Sequence, residues 1–291
     1  MGNVASQLYR VNVGDIALSV RDWPGSEPAF ILLHGLASNS LLWAGVAERL
    51  ATLGHRALAV DQRGHGMSDK PDGSYDFATF VADLHQLIAA LGLTEPPVLA
   101  GQSWGGNVVL AFGAEHPTAA RGLAFIDGGF LNVRASLGDD WEAVADRLRP
   151  PQLYGIRPEH LRERIRAGHP DWSPESIEAV LGNFATLPDG GLRANLTLER
   201  HMQIVRALWE QDPTTLYARV TAPVLICPAE RGPAGDQARA ERMVAVAAAG
   251  LARNRTVWFA DTDHDIHAHR PGELAELLHQ ELVAGLWASS G

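Results

Sequence analysis

One cysteine among 291 residues, Cys227, rules out an intramolecular disulfide. It lies in the apolar run PVLIC and is expected to be a small buried side chain. No apolar run approaches the roughly 18 residues that a membrane-spanning helix needs, so no span is expected. No run of Lys and Arg occurs, and the formal net charge is −10 at pH 7. A nucleic-acid surface needs a basic patch and is therefore excluded. The opening MGNVASQLYR has no apolar h-region, so a secretory signal is not expected and a cytoplasmic location is. Neither an H-E-x-x-H nor a C-x-x-C pair is present, so no metal and no cofactor are expected.

What is present is an alternation of strand and helix patterns. YRVNV and IALSV flank Gly14-Asp15 and predict a hairpin. AFILL (Ala29–Leu33), RALAV (Arg56–Val60), VLAG and LAFID (Leu123–Asp127) are short, continuously apolar runs. Between them, LWAGVAERLATL and DFATFVADLHQLIAALG repeat apolar residues every three or four positions, and the second closes on Gly92. Uniformly apolar strands separated by helices predict an α/β fold with a mostly parallel sheet covered on both faces. From Gly128 to about Val220 strand-like runs vanish. Short helical pieces carry scattered aromatics and are broken by prolines. The alternation resumes with PVLIC and TVWFA. Residues 1–127 and 221–291 are thus read as two parts of one core, and 128–220 as a helical insertion.

One corner stands apart. In LAGQSWGGNVVL (Leu99–Leu110), Ser103 sits between glycines where an apolar strand passes into a helix. In a parallel sheet, ligands bind at the carboxyl ends of the strands. G-x-S-x-G at that place is the pattern of a nucleophile elbow, in which a tight turn lifts the hydroxyl clear of the sheet. A bare G-x-S-x-G is weak; the strand–turn–helix context strengthens it. A serine nucleophile also needs a base and a site for the oxyanion.

Four landmarks occur in order: His34-Gly35-Leu36 after AFILL, DQRGHGMSD (Asp61–Asp69) after RALAV, GQSWGG, and TDHDIHAHRP (Thr262–Pro271) near the end. Together they resemble the α/β-hydrolase family over nearly the whole chain. The resemblance implies Ser103 as nucleophile, His264 as general base, and the backbone N–H groups of Leu36 and Trp104 as oxyanion hole. It implies that 128–220 is a cap, and that His34 and His65 organise loops without transferring protons. Asp263 replaces a glycine that often precedes this histidine, and little effect is expected of it. His267 and His269 are expected to open the helix near Pro271 and not to bind metal.

The acid departs from the family's pattern. Its usual position, after the strand matching PVLIC, falls on Gly232 in CPAERGPAGD. Glu230 lies two residues early and Asp236 four late. LAFID ends in Asp127, the family's other position for this carboxylate. Asp127 is favoured as the residue orienting the imidazole, with Glu230 and Asp236 as alternatives.

The machinery implies acyl transfer to water from a small-molecule ester or lactone with an apolar part. Serine stands where epoxide hydrolases and haloalkane dehalogenases carry aspartate, which argues against both activities. Trp104, Trp172, Phe184, His201, Met202 and Trp209 are candidate substrate-wall residues, although core packing is the commoner role for each. A C–C bond hydrolase or lyase on the same scaffold is the alternative. A non-catalytic small-molecule receptor is a third class, disfavoured because Ser103, His264 and a carboxylate all survive. Neither substrate identity nor oligomeric state is legible.

Overall fold

A computed structural model of the chain describes residues 4–151, 155–230 and 234–288; the side chains of residues 234–236 also fall outside the description. The chain opens with β1 (Gln7–Val13) and β2 (Ile16–Trp23), an antiparallel hairpin closed by Val13 opposite Ile16, with Gly14 at φ +63°. There follow β3 (Ser26–Leu33), α1 (Ala44–Thr52), β4 (His55–Asp61), α2 (Phe77–Ala90), β5 (Val98–Gln102), α3 (Trp104–Glu115) and β6 (Gly122–Ile126). After a long excursion the chain returns as β9 (Val224–Cys227), α9 (Ala234–Gly250), β10 (Asn254–Thr256), α10 (Ile266–His269) and α11 (Pro271–Val283). Eight strands form one sheet in the order β1-β2-β4-β3-β5-β6-β9-β10, parallel from β4 onward. This is the expected α/β architecture.

The continuously apolar strands are divided by the period of two between two cores. Ile31, Leu33, Leu58, Val60, Leu99, Leu123 and Phe125 face α2, α3 and α9. Phe30, Leu32, Ala57, Ala59, Ala100, Ala124 and Cys227 face α1 and α11. The second set is rich in alanine, which leaves room for the side chains of Trp43, Leu50 and Leu278 from that layer. Cys227 is fully buried, and burial pushes its thiol pKa up. No helix among the described residues is long and apolar enough to cross a membrane.

The excursion between β6 and β9 is not wholly helical, contrary to the sequence reading. It holds α4 (Val133–Leu137), α5 (Trp141–Leu148), α6 (Pro158–Gly168) and α7 (Pro174–Leu181). A small antiparallel hairpin follows, β7 (Phe184–Thr186) with β8 (Leu192–Ala194), and then α8 (Leu198–Glu210). Strands of three residues are too short to display alternation, so nothing in the pattern marked them.

Candidate active site

The sheet registers bring the landmark residues together. Leu33 pairs with Gly101, and Gln102 with Ile126, so His34-Gly35, Ser103 and Asp127 leave the carboxyl ends of three adjacent strands side by side. The chain then turns sharply. Ser103 adopts φ +54°, ψ −124°, a conformation that L-residues rarely take. Its backbone is held by N–H donation to the Ile126 carbonyl at 2.9 Å and by accepting from Gly106 N–H at 2.9 Å. The glycines leave room for this turn: a Cβ on Gly101 would lie 2.2 Å from the Gly105 carbonyl oxygen, and one on Gly105 2.5 Å from that of His34. Ala37, Ser103, Asp127 and Asp261 are the non-glycine residues at positive φ among those described. All four lie in the loops that build this corner, so backbone strain is concentrated there.

Ser103 Oγ lies 2.8 Å from His264 Nε2, and His264 Nδ1 lies 2.6 Å from Asp127 Oδ2. The carboxylate fixes Nδ1 as the donor and leaves Nε2 to accept the serine proton. Asp127 is fully buried, and its second oxygen accepts from Ala229 N–H at 3.3 Å. Glu230 is exposed, with its backbone N–H given to the Phe259 carbonyl. Asp236 falls in α9, and its side chain lies outside the described residues. Gln102, whose side chain the sequence reading passed over, donates from Nε2 to the His264 carbonyl at 3.1 Å and ties the histidine loop to the elbow.

The His34-Gly35-Leu36 loop lies against the elbow: a Cβ on Gly35 would sit 3.2 Å from that of Ser103. Among the described residues, the N–H groups of Leu36 and Trp104 have no protein acceptor, and Trp104 opens α3. A helix N-terminus next to a nucleophile favours developing negative charge. His34 Nε2 accepts from Gln62 N–H at 3.1 Å while Nδ1 donates to the Gly35 carbonyl at 2.7 Å. His65 Nε2 accepts from Ala37 N–H at 3.3 Å while Nδ1 donates to the Arg63 carbonyl at 2.9 Å. Burial lowers the pKa of both rings, that of His65 well below the ordinary value. They are neutral braces of the loops.

A cavity of about 570 Å³ adjoins the loop that follows Leu36, reaching Ala37, Ser38 and His65; Ser103 and His264 are not among its lining residues. Of the six wall candidates, Phe184 and His201 line it. Trp104 does not: its ring is buried beneath the elbow, edge-on to Phe80 at 4.6 Å. Trp172 packs with Leu42, Ile177 and Ala268 and donates its indole N–H to Asp263 at 3.0 Å. Trp209 donates to the Gly138 carbonyl at 2.9 Å and lies under the Arg134 guanidinium. Met202 lies one residue around α8 from His201 and is not part of the lining. Leu187, Leu192, Ala194 and Leu196, from the hairpin and the loop after it, take the places assigned to these aromatics.

Asp263 is not the neutral replacement for glycine that the sequence led us to expect. Its Oδ2 accepts from His169 Nδ1 at 2.8 Å and from Trp172 Nε1 at 3.0 Å, and its Oδ1 from Asp265 N–H at 3.1 Å. It therefore bolts the α6–α7 turn to the loop carrying His264. His267 and His269 lie in α10, just before Pro271. The His267 ring packs on Trp43 at 4.6 Å with both nitrogens buried and unpartnered, and burial lowers its pKa to about 3. His269 Nδ1 accepts from Asp263 N–H at 3.3 Å.

Comparison with known proteins agrees with this geometry. A family model described as alpha/beta hydrolase fold matches residues 28–178, just over half of the chain. The chain is 29% identical over 218 residues to 2-(acetamidomethylene)succinate hydrolase of Mesorhizobium japonicum, covering 75% of each. A crystal structure of E-2-(acetamidomethylene)succinate hydrolase superposes with a TM-score of 0.77 at 26% identity, over 96% of this chain and 100% of that one. A fluoroacetate dehalogenase from a Burkholderia species is 35% identical over 122 residues, 40% of this chain and 39% of that one. A Mycobacterium tuberculosis esterase shares the fold at a TM-score of 0.70 and 21% identity, over 97% of this chain and 93% of that one. The chain belongs to the α/β-hydrolase fold family.

Proposed function

We propose that the protein is a serine hydrolase that cleaves a small carboxylic ester or lactone through an acyl-enzyme. The observation that carries this is the relay from Ser103 Oγ to His264 Nε2 at 2.8 Å and from His264 Nδ1 to Asp127 at 2.6 Å. Ser103 Oγ attacks the carbonyl carbon while His264 Nε2 takes its proton. The negative charge that develops on the carbonyl oxygen is met by the N–H groups of Leu36 and Trp104. The imidazolium, held by the Asp127 carboxylate, then protonates the departing alcohol oxygen as the carbon–oxygen bond breaks. A water deprotonated by the same Nε2 attacks the acyl-enzyme, and Ser103 recovers its proton. Residues 128–220 act as a cap over this chemistry and set the shape of the substrate.

Ser103→Ala should remove nearly all turnover and leave the fold intact, with the rate retained through oxyanion binding alone. A fluorophosphonate should label Ser103 and nothing else. Near-normal turnover in the alanine variant would end this reading. A second reading keeps the same residues but directs them at a C–C bond or another bond that is not a simple ester. The similarity to 2-(acetamidomethylene)succinate hydrolase over three quarters of both chains favours it. A panel of acyl esters and lactones run beside that succinate derivative separates the two.

A further inference from the structure

The cavity that reaches Ala37 and Ser38, just after the oxyanion loop, is walled largely by Phe184, Leu187, Leu192, Leu196, Leu198 and the Pro150-Pro151 pair. Within that apolar lining, Arg193 of β8 is the one permanently charged side chain among the described residues. No carboxylate neutralises it: among the described residues the Arg193 side chain, which is exposed, makes no ion pair or hydrogen bond, in a chain with ten more acidic than basic side chains. Two further cations, Lys70 and Arg200, lie near the lining, each beside carboxylates. Lys70 Nζ donates to the Gly66 carbonyl at 2.7 Å and the Ser68 carbonyl at 3.0 Å, and the Asp61 and Asp69 carboxylates act on its charge from nearby. Among the described residues Arg200, two residues beyond the lining residue Leu198, forms an ion pair with the fully exposed Asp72 and lies over the Tyr75 ring. Exposed pairs of that kind are worth little, so its charge is only weakly offset. Inside the cavity, Ser38 Oγ is buried without a hydrogen-bond partner. An orphaned buried hydroxyl is costly unless a ligand satisfies it.

We propose that the substrate carries a carboxylate at the end of a short apolar chain, with Arg193 as its counter-ion in the cavity. This rests on the serine-hydrolase reading above and names its substrate class. The guanidinium fork matches a planar carboxylate through two parallel N–H···O bonds. A phosphate dianion would call for more donors than one guanidinium and one hydroxyl supply. The apolar walls bury the chain between the scissile carbonyl and the carboxylate. His65 and His201, the other titratable side chains of the lining, are kept neutral by burial and do not compete for the anion.

The test is a matched pair of 4-nitrophenyl esters, the pentanoate and the glutarate monoester, which differ in a terminal carboxylate. In the wild type the glutarate ester is the better substrate at low ionic strength. Salt at about 0.5 M erodes that advantage by screening, mainly through KM. Arg193→Gln lowers the ratio of kcat/KM for the anionic over the neutral ester by about tenfold, and Arg193→Lys restores part of it. A ratio that does not move in Arg193→Gln, or a wild type that prefers the pentanoate, overturns the proposal. A second measurement needs no turnover: free glutarate should slow fluorophosphonate labelling of Ser103 in the wild type and protect less in Arg193→Gln. Absence of protection in the wild type overturns the carboxylate site. Failure of Ser103 to label at all overturns the hydrolase reading instead.

Discussion

Among the carboxylates near the catalytic corner, position separates the roles. Asp127 directly follows β6 beside the elbow, buried, with an oxygen 2.6 Å from the imidazole; Glu230 is exposed. An amide at 127 cannot stabilise the imidazolium and can favour the wrong tautomer, a loss that can reach about 10⁴ in kcat in a Ser-His-Asp triad. Asp127→Asn should therefore cost orders of magnitude in kcat with little change in KM. Glu230→Gln should cost less than about tenfold, the scale of an indirect effect of about 1.4 kcal/mol. Steady-state kinetics of both variants on one ester check this; a dead Glu230→Gln beside an active Asp127→Asn would reverse the assignment. Asp263 carries a different expectation. Its removal strips His169 and the buried Trp172 indole of their acceptor and frees the His264 loop from the α6–α7 turn. Asp263→Ala should lower kcat by about tenfold, and His169→Ala should lower it in part through the same contact. The double variant should lose less than the two single losses combined, which a double-mutant cycle on kcat measures; strict additivity would show that the two do not act as one unit.

At the level of elements, the parallel strands, their helices and the serine corner were legible because each is long or distinctive. Apolar runs, amphipathic helices and G-x-S-x-G mark the core and Ser103, while His264 and Asp127 are named by the resemblance to the α/β-hydrolase family. The substrate wall was not legible. Aromatic content pointed to Trp172 and Trp209, but aromatic rings with a polar edge also serve as struts. Both tryptophans donate their indole N–H to protein acceptors and are nearly fully buried. The β7–β8 hairpin that lines the cavity has strands of three residues, too short for any period to show. The role of Asp263 was illegible for another reason: its partners His169 and Trp172 lie more than ninety positions away. The geometry therefore revises which positions should govern selectivity. Phe184→Ala and Leu192→Ala should widen the cavity and shift the preferred acyl length upward in a series of esters. Trp172→Ala and Trp209→Ala should mainly cost stability, about 3–5 kcal/mol for a buried large aromatic, seen as a lower melting temperature. Unchanged length preference in both hairpin variants would remove β7–β8 from the substrate wall.

Across the whole molecule, the two cores hold several imidazoles in the neutral form, and this links folding to acidity. His34, His65 and His267 are all buried, and burial lowers each pKa. In the unfolded chain each would titrate near the ordinary value of about 6.5. Below that pH the unfolded state binds protons that the folded state refuses, so acid favours unfolding. Above it both states are neutral and these groups contribute no pH dependence. Each such group removes about 1.4 kcal/mol of stability per pH unit, starting near pH 6.5 and ending where its folded form titrates. For His267 that end is at about 3, so its effect spans the acidic range down to that point. His267 is also the simplest of the three to isolate, because both ring nitrogens are buried without partners and no hydrogen bond is lost on replacement. An apolar side chain of similar size removes an unsatisfied polar group, which is nearly neutral or stabilising at neutral pH. His267→Leu should therefore gain on the wild type as the medium is acidified, by about 2 kcal/mol between pH 6.5 and 5. Urea midpoints of both proteins at pH 7.5, 6 and 5 measure this directly. A stability difference that stays constant over that series would mean that His267 is protonated in the folded protein and that its burial does not govern its charge.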